Sequence, residues 1–163
     1  MHTIENSNKH LDLGCGDYAR NPYNASELFG VDLSLGTREP DEHFKICNLV
    51  CEPIPFVDSY FNSVSAFDVI EHIPRQSVDH ERKIIVNPFV DLMNEIHRVL
   101  QPNGLFYAST PAFPSPEAFQ DPTHVNIITE GTHQYFCGEN AAAKRYGFTG
   151  QFKVIEAQRI YPK

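Results

Sequence analysis

Three groups of residues in this 163-residue chain have the types and spacing for chemistry. The first joins Asp12-Leu13-Gly14-Cys15-Gly16 to Phe29-Gly30-Val31-Asp32-Leu33. Glycines have no Cβ, so backbone amides in the first stretch can approach a ligand closely. Asp32 closes an apolar run, where its two oxygens can accept both hydroxyl protons of a ribose. The second group is Phe67-Asp68 with Glu71-His72, and the third is Phe119-Gln120-Asp121-Pro122-Thr123-His124-Val125-Asn126. A neutral imidazole such as His124 can take a hydroxyl proton, with Asp121 orienting the ring.

The glycine turn narrows the ligand. Gly14 to Ala19 satisfies the loose dinucleotide pattern G-x-G-x-x-G/A. A pyrophosphate needs a helix N-terminus aimed at it, yet Arg20-Asn21-Pro22-Tyr23-Asn24 follows and makes a poor helix. Asp12 would repel a diphosphate but can meet the amino or sulfonium end of a ligand. The segment resembles motif I, D/E-x-G-x-G, of the class I S-adenosylmethionine-dependent methyltransferases. Phe44 to Leu49, Ile54-Pro55-Phe56, Tyr60 to Ile73 and Val99 to Phe106 are similar to the methyltransferase type 11 group in the same order. The resemblance implies S-adenosylmethionine as cofactor, lined by Asp12, Gly14, Cys15, Gly16, Asp32, Leu33, Asn48, Leu49, Phe67 and Asp68. Two positions depart from it. Tyr18 replaces a glycine, and Asn48 replaces the acidic residue of the adenine motif, where its amide oxygen can still accept a proton.

On the acceptor side, Glu71-His72 resembles the E-H pair of the type 11 group, which makes His72 a competing base to His124. Thr110 to Pro116 is too rich in proline for a helix and is expected to form a loop over the carboxyl edge of the sheet. Phe113, Phe119, Tyr135 and Phe136 are expected to wall a cavity there. The plainer alternatives are a turn with Asp121 as cap, and Glu71-His72 as a helix start. No tight spacing joins His72, Asp121 and His124 as metal ligands, so no metal is expected. Cys15, Cys47, Cys51 and Cys137 lack paired C-x-x-C spacing and read as free thiols. Cys15 is expected to pack against the sheet.

These residues need a scaffold. Apolar runs predict strands at His10 to Leu13, Leu28 to Asp32, Phe44 to Ile46, Ser63 to Ala66 and Leu105 to Ser109. Val86, Phe89, Val90, Met93, Ile96, His97 and Leu100 recur at helical spacing, and Pro102-Asn103-Gly104 is expected to end that helix. Thr129 is expected to cap a short segment from Glu130 to Phe136, and Phe152 to Ile160 reads as a last extended stretch. The expected fold is α/β, a Rossmann-like, doubly wound, mostly parallel sheet in a pared-down class I methyltransferase form. One domain spans 1–163, with 111–137 as its active-site loop region. Little chain precedes the first strand, the helix after motif I is shortened or lost, and one candidate strand ends the sequence. Such a sheet has an exposed edge, which a second copy in a homodimer would cover.

A formal net charge of -8 supplies no basic stripe for a nucleic-acid backbone. No apolar run is long enough to cross a bilayer, and Met1 to Asn6 lacks a basic apolar leader, so a cytoplasmic location is expected. The reading is methyl transfer from S-adenosylmethionine to a small-molecule acceptor, a hydroxyl in the first instance. Two alternatives stay open: a nicotinamide-dependent oxidoreductase, and a non-catalytic binding module on the same fold.

Overall fold

The computed structural model describes residues 8–160; the leader reading on Met1 to Asn6 lies outside them. Five parallel strands form the central sheet in the order β3-β2-β1-β4-β7. They are β1 (Lys9–Leu13), β2 (Glu27–Asp32), β3 (Phe44–Ile46), β4 (Phe61–Phe67) and β7 (Leu100–Ser109). The chain starts in the middle of the sheet, runs outward to β3, then crosses back to β4. The reversal lies between β1 and β4, and ligands of open α/β sheets bind outside the carboxyl ends of the strands at such a point. The fold class expected from the sequence is the one observed, with a reduced helical cover.

Strand alternation gives the two faces opposite characters. Leu11, Leu13, Phe29, Val31, Val64 and Ala66 share one buried cluster with Phe89, Leu92, Met93, Ile96 and Val99 of α1 (Pro88–Val99). The long helix therefore covers the apolar face. Pro88 occupies its first turn, where the missing N–H would have had no partner. The opposite face of β1 and β4 presents His10, Asp12, Ser63 and Ser65, all buried. Residues 14–26 cover it with turns, and Tyr23 sets its ring 5.8 Å from that of His10.

The four polar residues form one directed chain. Ser65 donates to Asp12 Oδ1 at 2.6 Å, so its oxygen must accept from His10 Nε2 at 2.9 Å. That leaves His10 Nδ1 to accept the Ser63 hydroxyl at 2.7 Å. His10 is thus held neutral, and burial pushes its pKa down to about 4. A fully partnered network of this kind is what makes a polar face tolerable inside the protein.

Three local readings are corrected, and one element is added. The helix ends at Val99, because Leu100 pairs with Phe61 in the sheet; Gln101 to Gly104 then bulge between the Phe61 and Ser63 pairings. Asn103 takes a positive φ of 65° in that bulge. The Phe152 to Ile160 stretch makes a single bridge, Phe152 with Cys137, in place of a sheet strand. Thr129 is not a side-chain cap on the 3-10 turn Thr132–Phe136; instead its N–H donates to Thr132 Oγ1 at 2.9 Å. The antiparallel hairpin of β5 (Ser77–Asp79) and β6 (Ile84–Val86) had no clear signal in the sequence, since Asp79 to Lys83 is a plain charged run.

Candidate active site

The first half of the site is the turn after β1. Gly14 and Cys15 both donate their N–H to the Val31 carbonyl, at 2.8 and 3.2 Å, and Gly14 has φ of 67°. A Cβ on Gly14 would stand 2.3 Å from Val69 Cγ2, so both conformation and space require glycine. Cys15 packs beneath the turn as expected; burial pushes its thiol up to about 11, which leaves it inert as a nucleophile. Asp32 sits across from the turn. Its Oδ2 accepts the Gly16 N–H at 2.9 Å and its Oδ1 the Ser34 N–H at 3.1 Å. A carboxylate oxygen has two acceptor sites, so each retains one for a ligand hydroxyl.

The remaining cleft residues lie along the same edge. Nothing stands within 4 Å of where a Cβ on Gly16 would project, and Leu33 is 66 % exposed beside Asp32. The Asn48 amide oxygen takes the Val50 N–H at 3.1 Å, which leaves one acceptor site, and Leu49 packs against the core. Half-buried Phe67 lies under the Arg20 guanidinium at 4.7 Å, and exposed Asp68 follows it with φ of 54°. A nucleoside with a charged tail fits this donor and acceptor set. Asp12, however, does not face the cleft. It is 1 % exposed, and its Oδ2 accepts the Arg20 N–H at 2.8 Å while its Oδ1 holds Ser65. Burial raises its pKa. Asp12 shapes the turn, and the carboxylate that reaches the edge near Phe67 is Asp68.

The second half is assembled by the loop after β7. Asn126 is the clamp: its N–H donates to the Glu71 carbonyl at 2.9 Å and its side-chain amide to the Ile70 carbonyl at 3.0 Å. Its Oδ1 accepts Arg75 Nε at 2.7 Å, and Arg75 also reaches the Ile127 carbonyl. These bonds place His124 edge-on to His72, with ring centroids 4.8 Å apart. One sequence reading changes here. Asp121 lies 3.9 Å from His124 Nε2, outside hydrogen-bond range, and does not orient that ring. It accepts the Thr123 hydroxyl at 2.6 Å, and Thr123 Oγ1 lies 3.0 Å from His72 Nδ1. The hydroxyl proton is committed to Asp121, so His72 Nδ1 must be the donor to Thr123. The free lone pair of His72 is then on Nε2. The Thr123 bonds also hold the Asp121 carboxyl below its usual range.

Of the expected cavity walls, Phe113 and Phe119 pair at 6.3 Å and stay half exposed, as does Tyr135. Phe136 is instead a core residue, packed against Phe89 and Phe148 at 5.4 and 5.2 Å. The residue that sequence reasoning named without giving it a role of its own is Glu71. Its neighbour His72 drew attention by type, whereas only the fold turns the Glu71 side chain inward.

The family model of the methyltransferase domain matches residues 11–108, which covers the cleft and the Glu71-His72 turn. This chain belongs to the methyltransferase domain family. Its members are class I, S-adenosylmethionine-dependent enzymes. Among solved structures, this methyltransferase domain is similar to a complex between the Haloferax volcanii Trm112 methyltransferase activator and its putative methyltransferase. The match has a TM-score of 0.56 at 18% identity, covering 78% of this chain and 58% of that one. It is also similar to the YcgJ protein from Bacillus subtilis, with a TM-score of 0.50 at 20% identity, covering 76% and 56%. The domain therefore spans under two thirds of the length of either structure. No curated protein matches it in sequence.

Proposed function

We propose that this chain moves a methyl group from S-adenosylmethionine to a hydroxyl of a small molecule. The observation that carries the reading is the placement of two unlike half-sites on the same sheet edge: the Asp32 and glycine-turn cleft after β1 and β2, and the His72 cluster after β4. When bound, S-adenosylmethionine supplies a methyl on a sulfonium that is already activated, so the protein chiefly positions the acceptor and excludes water. Asp32 holds the ribose hydroxyls. Gly14, Cys15 and Gly16 offer backbone, Leu33, Asn48 and Leu49 flank the base, and Phe67, Asp68 and Arg20 meet the charged tail. His72 Nε2 takes the acceptor proton, Asp121 holds the ring through Thr123, and His124 fixes it edge-on.

The turns that replace a helix after Gly16 supply no amide cluster for a pyrophosphate, which argues against the nicotinamide alternative. Titration calorimetry with S-adenosylhomocysteine and with NADH separates the two: binding of the first alone supports the reading, and binding of NADH alone overturns it. The outer edge of β7 carries no partner strand among the described residues, and Tyr107 and Ala108 are exposed there. A two-fold dimer through that edge completes the proposal. Among the described residues no helix is long and apolar enough to cross a membrane.

A further inference from the structure

Glu71, His72 and His124 bring one carboxylate oxygen and two imidazole nitrogens within 4.8 Å of one another. Glu71 is 1 % exposed, and neither of its carboxylate oxygens has a hydrogen-bond partner among the described residues. The Nδ1 of His124 is likewise buried and without a partner. A carboxylate removed from water with no donor is costly, and the cost is relieved by neutralisation or by a cation. Two imidazoles facing that carboxylate are the donors a divalent transition metal prefers.

We propose that Glu71, His72 and His124 form a binding site for a divalent transition cation of the zinc class. Ligands at 2.0 to 2.2 Å in a tetrahedron stand about 3.4 Å apart, so modest side-chain rotations close the present spacing. The supporting residues already have the form that metal-ligating histidines need. A ligating imidazole usually donates its other N–H to a neighbouring acceptor, and His72 Nδ1 donates to Thr123, which is anchored on Asp121. The clamp by Asn126 ties the His124 loop to the turn that carries Glu71 and His72. Three protein ligands leave a fourth position open, which is the arrangement of sites where a substrate oxygen joins the metal. Binding of the ion stands apart from the proposed methyl transfer. Only its role there rests on that reading: a bound cation would occupy the His72 Nε2 lone pair, and the acceptor hydroxyl, its pKa lowered by the cation, would then lose its proton to water and not to His72.

The test is calorimetry of chelator-stripped protein with Zn2+, and visible spectroscopy with Co2+, both without cofactor or acceptor. The expected result is one saturable ion per chain, with Co2+ d–d bands and no thiolate charge-transfer band, because no cysteine belongs to the site. Glu71→Gln and His124→Gln should each weaken Zn2+ binding at least tenfold, and Thr123→Val, which only positions His72, about tenfold. A rise in melting temperature with Zn2+ in the wild type, absent in both ligand variants, gives a second readout that includes a check on folding. No saturable binding, a thiolate band, or affinity unchanged in Glu71→Gln and His124→Gln would each overturn the site. Failure of methyl transfer with Zn2+ binding intact would instead count against the function proposed above.

Discussion

Asn126 lies 2 % exposed and donates its backbone N–H to the Glu71 carbonyl at 2.9 Å, joining residues 55 positions apart along the chain. The same residue holds Ile70 and Arg75, so one side chain fixes the acceptor loop to the end of β4. Truncation would leave the Ile70 carbonyl with only the Ile73 N–H at 3.4 Å and would take from Arg75 one of its two partners. Asn126→Ala should therefore destabilise the protein by about 2 kcal/mol and separate His124 from His72. Urea melts measure the first effect. A loss below a few tenths would show that the clamp is not what holds the loop.

Asp32 offers a direct test of the cofactor cleft. Removing a carboxylate that makes paired bonds should cost on the order of 1.5 to 3 kcal/mol, or about ten- to a hundredfold in S-adenosylhomocysteine affinity. Asp32→Asn keeps one acceptor for Ser34 or Gly16 and should lie between the wild type and Asp32→Ala. Calorimetry orders the three. Equal affinities would remove Asp32 from the ribose role.

Much of this was legible in the sequence, for identifiable reasons. The strands from β1 to β4 are short apolar runs bounded by turn residues, and parallel strands buried on both faces leave that signature. The glycine turn was legible because its φ values and the approach of Val69 admit nothing else. The orientation of carboxylates was not. Asp12 sits in the same motif whether it faces a ligand or Ser65, and only the register of β1 on β4, Asp12 opposite Ser65, decides. Thr123 was passed over between Asp121 and His124 because i to i+3 spacing suggests a direct contact, while the actual chain bends through the hydroxyl to His72.

That hydroxyl yields the third prediction. Once an acceptor is known, His72→Ala should cut turnover roughly a hundredfold or more while S-adenosylhomocysteine affinity changes little, as for a lost base. Thr123→Val should cost less, about tenfold, because the ring remains but its tautomer is no longer set. If His124→Ala alone abolishes turnover and His72→Ala retains it, the base assignment passes to His124.

Association through the β7 edge is testable by mass. Light scattering at micromolar concentration should return twice the 18.5 kDa of the chain, and Tyr107→Lys, which places a charge on that edge, should shift the population toward monomer. A wild-type protein of single-chain mass at every concentration would show that the edge is tolerated in water.

His10 sets the acid limit of stability. Unfolded, its imidazole titrates near 6.5, whereas burial holds it at about 4 in the folded protein. Between those values the unfolded chain binds more protons, so stability is full above pH 6.5 and falls as pH drops toward 4, by on the order of 3 kcal/mol. Asp12 acts in the opposite sense, because its raised pKa means that protonation in acid relieves the cost of burying its charge. The comparison that isolates His10 is therefore wild type against His10→Gln, which can bond both serines but cannot take a proton. Urea unfolding from pH 7.5 to 4.5 should show a smaller loss in the variant. Parallel curves for the two proteins would mean that His10 is protonated in the fold, and the Ser63–His10 bond would have to run from His10 Nδ1 to the Ser63 hydroxyl.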